Sequence, residues 1–361
     1  MKSVNFFICS MSSGGAEHQL SILSHLLCEE GYSVTITTFS DIEDHYKIDP
    51  RIKRTRLGNG KSNIYKQFCI MKYALTTQAT CFVGFGYRES CLVLLPMLLR
   101  IRLKFIVGER NLSQPNMNFF QRLYRKVLYK RANYIVPNSE SQSQLIKQSY
   151  PNFSKKVRTI HNYTDLNYFT PNLCVHNAIP RVGIFARYHD QKNCVRFINV
   201  VKELKNKNYK FVVDWYGNKH VGSTLNPMFL RMQDLISKYK LQDYLKLHDH
   251  VAEVKTEFTK FDAIALPSLF EGFSNSISEA ICCAKPMIVS RVSDNPVMVK
   301  DGVNGFLFDP LDENDMVHSF EKFFRLTKEE KIEMCRNSRS IAECLFDSES
   351  FITKYTNILI D

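Results

Sequence analysis

Short β-type runs alternate with helix-length amphipathic segments along the whole of this 361-residue chain, and that alternation constrains its fold more than any single motif. In the first half the runs are residues 4–9, 33–39, 52–57, 80–85, 103–108, 134–137 and 157–160. Segments of 3.6-type spacing lie between them, such as residues 16–28, where Leu20, Leu23, Leu26 and Leu27 share a stripe, and residues 118–128. The second half repeats the pattern, with β-type runs at 181–186, 211–216, 244–247, 263–266, 287–290 and 305–308 and helices such as 192–205 and 227–239. Regular βα alternation builds parallel sheets covered by helices on both faces. Two rounds of it predict an α/β protein of two such domains, which suits the length. Residues 165–180, with Pro171 and Pro180, read as the connector, and no short-period repeat points to a solenoid or propeller.

The composition, 44% hydrophobic and 23% charged, is that of a folded chain. The longest apolar run, residues 92–99, falls short of the ~18–20 residues a spanning helix needs, is cut by Pro96, and is followed by Arg100, Arg102 and Lys104. The opening MKSVNFFICSM has one Lys, an interrupting Asn5 and no small-residue cleavage site, so it is expected to be a first strand rather than a secretory signal. Eleven cysteines without a CxxC pair or zinc-type spacing exclude a disulfide-stapled secreted module and a structural zinc site, and fit a reducing cytoplasm.

The net charge of +12 is carried by one half. Residues 1–170 hold 23 Lys+Arg against 11 Asp+Glu, whereas residues 171–361 hold 25 of each. The densest stretch runs through Arg100, Arg102, Lys104, Arg110, Arg122, Arg125, Lys126, Lys130 and Arg131, interleaved with Leu, Ile, Phe and Tyr. A basic surface with apolar insertions attracts nucleic acid or an anionic membrane face. No nucleic-acid-binding motif accompanies it, so an anionic membrane is preferred and a nucleic-acid partner is not expected; a solvated face with no partner is the plain alternative.

Ligands of open α/β sheets bind beyond the carboxyl ends of the strands, so three strand-to-helix loops carry the chemical argument. The first, Ser10 to Glu17 around Gly14 and Gly15, places small residues at a helix N-terminus, where backbone N–H groups and a partial positive charge suit a diphosphate; a tight turn with an N-cap explains it equally. The second, Ala186 to Asn193, carries Arg187 and Lys192, which could converge on one polyanion or stand as solvated charges. Preorganised cations stabilise a departing diphosphate as its bond to a sugar breaks. The third, Pro267 to Ala280, sets Glu271 and Glu279 eight residues apart about a Gly/Ser-rich turn, with Ser274 or Asn275 capping the helix that follows. Two such carboxylates can accept hydrogen bonds from vicinal hydroxyls, one from a hexose and one from a ribose. A capping box from Asn275 to Glu279 fails by one residue.

Together these residues form a resemblance. EGFSNSISEAICCAKPMIVS, with the later Asp301-Gly302-Val303-Asn304-Gly305-Phe306-Leu307, resembles the E-x7-E signature and DGxNGxL segment of retaining GT-B glycosyltransferases of family 4. SSGGAEHQLSILSHLLCEEGYSVTITTF is similar to that family's opening strand, loop, helix and strand, and ARYHDQKN to its Arg/Lys phosphate loop. The resemblance spans nearly the whole chain. It implies a GT-B fold of two Rossmann-like domains facing across a cleft: an acceptor domain at 1–170, a nucleotide-sugar domain at 171–345, and a helix at 346–361 crossing back to the first. It further implies a hexosyltransferase in which Arg187 and Lys192 neutralise the donor diphosphate, Glu271 binds the transferred sugar, and Glu279 binds the ribose. Gly272, Phe273, Ser274 and Asn275 would line the donor, and Gly14 and Gly15 would close over the phosphates.

The family needs no metal or other cofactor, and the chain has no DxD-type metal loop. Ala186 stands where the family usually has Gly. Many members place a His near the reacting sugar, but this chain has none between His45 and His161, so either Arg110 or Asn111 would take that position. The resulting expectation is transfer, with retention, from a UDP- or GDP-sugar, UDP favoured, to a lipid-linked glycan acceptor. The enzyme would be cytoplasmic, peripherally held at the inner face of the plasma membrane by its basic first domain. A soluble or protein acceptor, a nucleotide-sugar epimerase and a non-catalytic nucleotide-binding scaffold are the alternatives.

Overall fold

The structure, a computed structural model, describes residues 2–12, 14–40, 43–57, 63–110, 117–171 and 177–360. The chain falls into two compact units, Met1–Tyr163 with Ser348–Asp361, and Thr164–Asp347. Residues 164–170, placed with the first domain in the sequence reading, thus belong to the second unit.

The first unit runs β1 (Ser3–Ile8), α1 (Gly15–Glu29), β2 (Ser33–Thr38), β3 (Lys53–Arg56), α2 (Asn63–Thr76), β4 (Cys81–Gly84), α3 (Tyr87–Leu92), α4 (Leu94–Leu99), β5 (Lys104–Glu109), α5 (Phe119–Arg131), β6 (Tyr134–Pro137) and α6 (Glu140–Ser149). Its six strands are all parallel, in the order β3-β2-β1-β4-β5-β6. Phe6 pairs with Ile36 on one side and Val83 on the other. The central strands β1, β4 and β5 are covered on both faces, which is why they read as continuous apolar runs, whereas edge strand β3 has no buried residue. Phe7, Phe82, Phe105 and Ile135 from the sheet meet Ile70, Leu94, Met97 and Leu128 from the helices in one core. On α1 the expected stripe is buried at Leu20, Leu23 and Leu27. Buried Gln19 exchanges two 2.8 Å hydrogen bonds with the backbone of Tyr163, satisfying a chain segment that no strand pairs with.

Residues 157–160 are not a strand. Arg158 N–H donates to Ile135 O and Ile160 N–H to Pro137 O, but Pro137 has no N–H to return a bond to residue 158, so the ladder stops at an isolated Ile135–Val157 bridge.

The second unit runs β7 (Arg181–Phe185), α7 (Cys194–Asn206), β8 (Val212–Tyr216), the short antiparallel ribbon β9 (His220–Val221) and β10 (Thr224–Leu225), α8 (Pro227–Lys238), β11 (Leu245–His248), α9 (Val254–Phe258), β12 (Ala263–Leu266), α10 (Asn275–Cys282), β13 (Met287–Ser290), α11 (Asn295–Met298), β14 (Gly305–Phe308), α12 (Glu313–Arg325) and α13 (Lys328–Leu345). Its main sheet is again wholly parallel, in the order β11-β8-β7-β12-β13-β14. The last helix, α14 (Ser348–Ile360), packs in the first unit, where Phe351 stacks on Tyr163 at 5.3 Å.

Nine described cysteines carry free thiols, and Cys335 is disulfide-bonded. Among the described residues no helix is long and apolar enough to cross a membrane.

Candidate active site

In the second unit, β7 lies between β8 and β12. The chain leaves β7 toward β8 on one side and later returns to build β12, β13 and β14 on the other, so the strand order reverses between β7 and β12. A crevice opens at such a switch point, lined by the loops that follow the two strands. Those loops are residues 186–193 and 267–274, the second and third loops singled out in the sequence.

The structure binds them together. Leu269 N–H donates to Gln191 O at 2.8 Å, and Gln191 Nε2 donates to Phe270 O at 2.9 Å. Lys192 Nζ forms a hydrogen-bonded ion pair with Glu271 Oε1, both side chains largely withdrawn from solvent at 13% and 9% exposure. Asn193, left-handed at φ 59°, ends the short 3-10 turn Asp190–Lys192 and starts α7, with its Nδ2 donating to Pro310 O. Arg187 is exposed and makes no ion pair among the described residues, so its guanidinium is available to an incoming anion. Ala186 is buried and its carbonyl accepts the Trp215 Nε1–H at 2.8 Å, so a methyl is accommodated where a Gly was the expectation. Ser293 was not singled out in the sequence. Its hydroxyl donates to Glu271 O at 2.6 Å and accepts from Glu271 N–H at 3.2 Å, fixing the backbone that aims the carboxylate. Lying 22 residues downstream in a turn where it takes a left-handed φ of 49°, it carries no signal in spacing.

Gly272 is half-buried, and Phe273 and Ser274 are buried, with Phe273 set edge-on against Phe346. Ser274 occupies the N-cap of α10 but makes no side-chain cap; its hydroxyl pairs with Ser276 Oγ at 3.1 Å. Ser274 thus places no hydroxyl of its own over the N–H groups that open α10, the end of a helix that favours an anion. Asn275 and Glu279 share the less buried face of α10, one helical turn apart, opposite Ile277, Ser278 and Ile281. Glu279 keeps a partial path to solvent, yet the surrounding protein desolvates it and raises its carboxyl from 4.5 to about 8. A carboxyl raised by desolvation is stabilised by hydroxyl donors that approach it.

The Asp301–Leu307 segment is structural. Asp301 Oδ1 accepts Leu307 N–H at 2.8 Å, Asn304 Oδ1 accepts Lys300 N–H at 2.7 Å, and Asn304 Nδ2 donates to Met298 O. Gly302 takes φ +73°, and a Cβ on Gly305 would lie 2.1 Å from Met287 O, so each of these four residues builds the turn into β14.

Gly14 and Gly15 belong to the first unit, at the N-terminus of α1, with Gly14 extended in the N-cap position and its carbonyl accepting the Tyr46 hydroxyl at 3.1 Å. His18 stacks on Tyr46 at 4.9 Å and His45 meets that ring edge-on; desolvation and then His45 push the His18 imidazole below its usual range. This aromatic cluster went unread, because Tyr46 is far from the loop in sequence. Arg110 stacks on Phe85 at 4.0 Å and donates to Tyr355 Oη at 2.8 Å and Asn162 Oδ1 at 3.3 Å; Asn111 lies outside the described residues.

Two wholly parallel six-stranded α/β sheets define the GT-B architecture, and solved glycosyltransferases share it. Sucrose-phosphate synthase from Thermosynechococcus elongatus aligns with a TM-score of 0.84 at 15% identity, covering 99% of this chain and 98% of that one. Anabaena HepE in complex with UDP and glucose aligns with a TM-score of 0.84 at 16% identity, covering 99% of both chains. Residues 180–340 match the family Glycosyl transferases group 1. Over 327 residues the chain is 25% identical to the GalNAc-α-(1→4)-GalNAc-α-(1→3)-diNAcBac-PP-undecaprenol α-1,4-N-acetyl-D-galactosaminyltransferase of Campylobacter jejuni, covering 85% of this chain and 84% of that protein. It is 22% identical over 309 residues to the amylovoran biosynthesis glycosyltransferase AmsD of Erwinia amylovora, covering 82% and 83%. The chain is a glycosyltransferase with a group 1 domain in its second unit.

Proposed function

We propose that the chain transfers a sugar, with retention of anomeric configuration as in family 4, from a nucleotide diphosphate sugar, UDP-sugar favoured, to a membrane-lipid-linked glycan in surface polysaccharide assembly. The observation that carries this reading is the Lys192–Glu271 pair at the β7/β12 switch point, flanked by exposed Arg187 and by the N-terminus of α10. In this reading Arg187 and Lys192 meet the diphosphate in place of a metal, Glu271 orients the hydroxyls of the transferred sugar, and Glu279 accepts from the ribose. The amides around Gly272, Phe273, Ser274 and Asn275 hold the sugar and phosphate, and Gly14 and Gly15 approach the phosphates from the first unit. The acceptor attacks from the face the leaving diphosphate occupies, and the diphosphate takes the acceptor's proton. The relatives whose names include diphospho-undecaprenol and amylovoran support a lipid-linked acceptor, and the bound UDP of HepE supports the base. The basic first unit would keep the enzyme at the inner face of the plasma membrane.

A thermal-shift screen against UDP, GDP, ADP and CMP and the matching sugar nucleotides tests the donor. Saturation at ~100 times Kd stabilises by ~2.7 kcal/mol, and Glu279→Ala is expected to abolish the shift from uridine nucleotides. Incubation with the responding sugar nucleotide and a diphospho-undecaprenol-linked glycan, read by mass spectrometry, tests the transfer; a product only on soluble acceptors would overturn the acceptor.

A further inference from the structure

The helix α5 has two apolar faces, and only one of them enters the core; on the other, the Tyr124 hydroxyl reaches back, donating to Cys91 O at 2.9 Å. Leu128 and Tyr129 are buried in the first unit's core beside Arg125. Phe120, Leu123, Tyr124 and Val127 stand at i, i+3, i+4 and i+7, a single stripe, and all four are exposed, Phe120 at 77%. Arg122, Lys126 and Lys130 occupy a third row at i, i+4 and i+8 beside it. Helix α4 continues the surface: Leu94 and Met97 enter the core, while Leu95, Leu98 and Leu99 point outward, followed by Ile101 at 75% exposure and Arg102. Arg131 ties the two helices together by donating to Met97 O, Arg100 O and Leu103 O at 2.6, 2.9 and 2.6 Å.

From this surface we infer that α4 and α5 form the membrane-docking face of the protein, with the Phe120 stripe and Ile101 entering the acyl boundary of an anionic bilayer while Arg102, Arg122, Lys126 and Lys130 meet lipid phosphates. Charge complementarity selects that occupant. Between residues 90 and 139 the one acidic residue is Glu109, which is buried, so the segment's ionic surface is entirely cationic. An apolar stripe with a basic row is the pattern of a helix lying in a bilayer interface; monomeric proteins rarely expose so much contiguous apolar surface to water. The inference rests on the acceptor reading above for why a membrane is the partner, and on the surface for where contact is made.

Flotation of the full chain with vesicles of phosphatidylcholine, alone or mixed equally with phosphatidylglycerol, tests it. The wild type is expected to float with the anionic vesicles, and F120S/L123S and R122E/K126E are each expected to weaken that partition about tenfold or more. None of these four side chains enters the core, so an unchanged melting temperature accompanies the loss. L123W adds a direct readout, because the native Trp215 is fully buried: its emission is expected to shift to the blue on anionic vesicles. An unmoved L123W emission, variants that float like the wild type, or a solution dimer that F120S/L123S dissolves without any vesicle binding would overturn the inference. Transfer by the same variants to a short-chain, water-soluble diphospholipid acceptor is expected to persist; its absence in the wild type would count against the acceptor reading while leaving the vesicle result standing.

Discussion

Lys192 and Glu271, 79 residues apart, are joined as a largely buried ion pair where the strand order of the second sheet reverses. On the proposed reading the pair serves two states: without substrate each member satisfies the other, and with donor bound the lysine would turn to phosphate and the carboxylate to sugar hydroxyls. Breaking one half leaves an uncompensated charge in a poorly solvated place. Lys192→Ala and Glu271→Ala are each expected to lower kcat/KM about 100-fold or more. The double variant is expected to fall little below either single one, because residues that act as a unit are non-additive. Steady-state transfer rates check this, with Glu271→Gln as the shape-preserving control.

Glu279 sets a pH dependence. Its carboxyl is raised from 4.5 to about 8 by desolvation, so between those values the folded protein holds a proton that the unfolded chain has released. Stability then falls as pH rises from about 4.5 to about 8 and is level on either side. Glu279→Gln is expected to flatten that part of the curve. Melting temperature measured across the range in both proteins decides it; identical slopes would show that the carboxyl is already ionised.

Most of the architecture was legible because parallel strands buried on both faces announce themselves, as Ala263–Leu266 and Met287–Ser290 do with every residue buried. The exception, residues 157–160, looked like a strand in its own sequence, and its failure depends on Pro137 in a neighbour that local reading does not consult. At the candidate site, the two loops that the Lys192–Glu271 pair joins were legible as spaced motifs. Their supports were not, since Ser293 and Gln191 act through backbone atoms set by tertiary approach, a relation that leaves no residue-type signature.

Gly305 separates a structural from a chemical role for the Asp301–Leu307 turn. A Cβ there would sit 2.1 Å from Met287 O, a backbone atom of the paired strand that cannot turn aside. Gly305→Ala is expected to destabilise the second unit by about 3 kcal/mol or more, in the range of severe overpacking. Asp301→Ala, which loses one backbone bond, is expected to cost about 1–2 kcal/mol. Denaturant unfolding measures both, and nucleotide affinity of the folded fraction is expected to hold in Asp301→Ala.

Arg110 is engaged by the first unit itself. Its guanidinium lies on the Phe85 ring and donates to the Tyr355 hydroxyl of α14 and to Asn162, so it couples the end of β5 to the last helix of the chain. Arg110→Ala removes a stacked cation and leaves Tyr355 Oη without this donor, an expected loss of about 2 kcal/mol. Tyr355→Phe removes only the hydroxyl and is expected to cost about 1 kcal/mol. If the two act through their shared bond, a double-mutant cycle in denaturant gives a coupling energy of about 1 kcal/mol. Every partner named here lies in the first unit, and on the proposed reading the second unit supplies most of the uridine nucleotide site, so that affinity is expected to be unchanged in both variants. A Kd for UDP that rises in Arg110→Ala in step with a fall in transfer rate, at unchanged stability, would instead assign Arg110 to the reacting sugar.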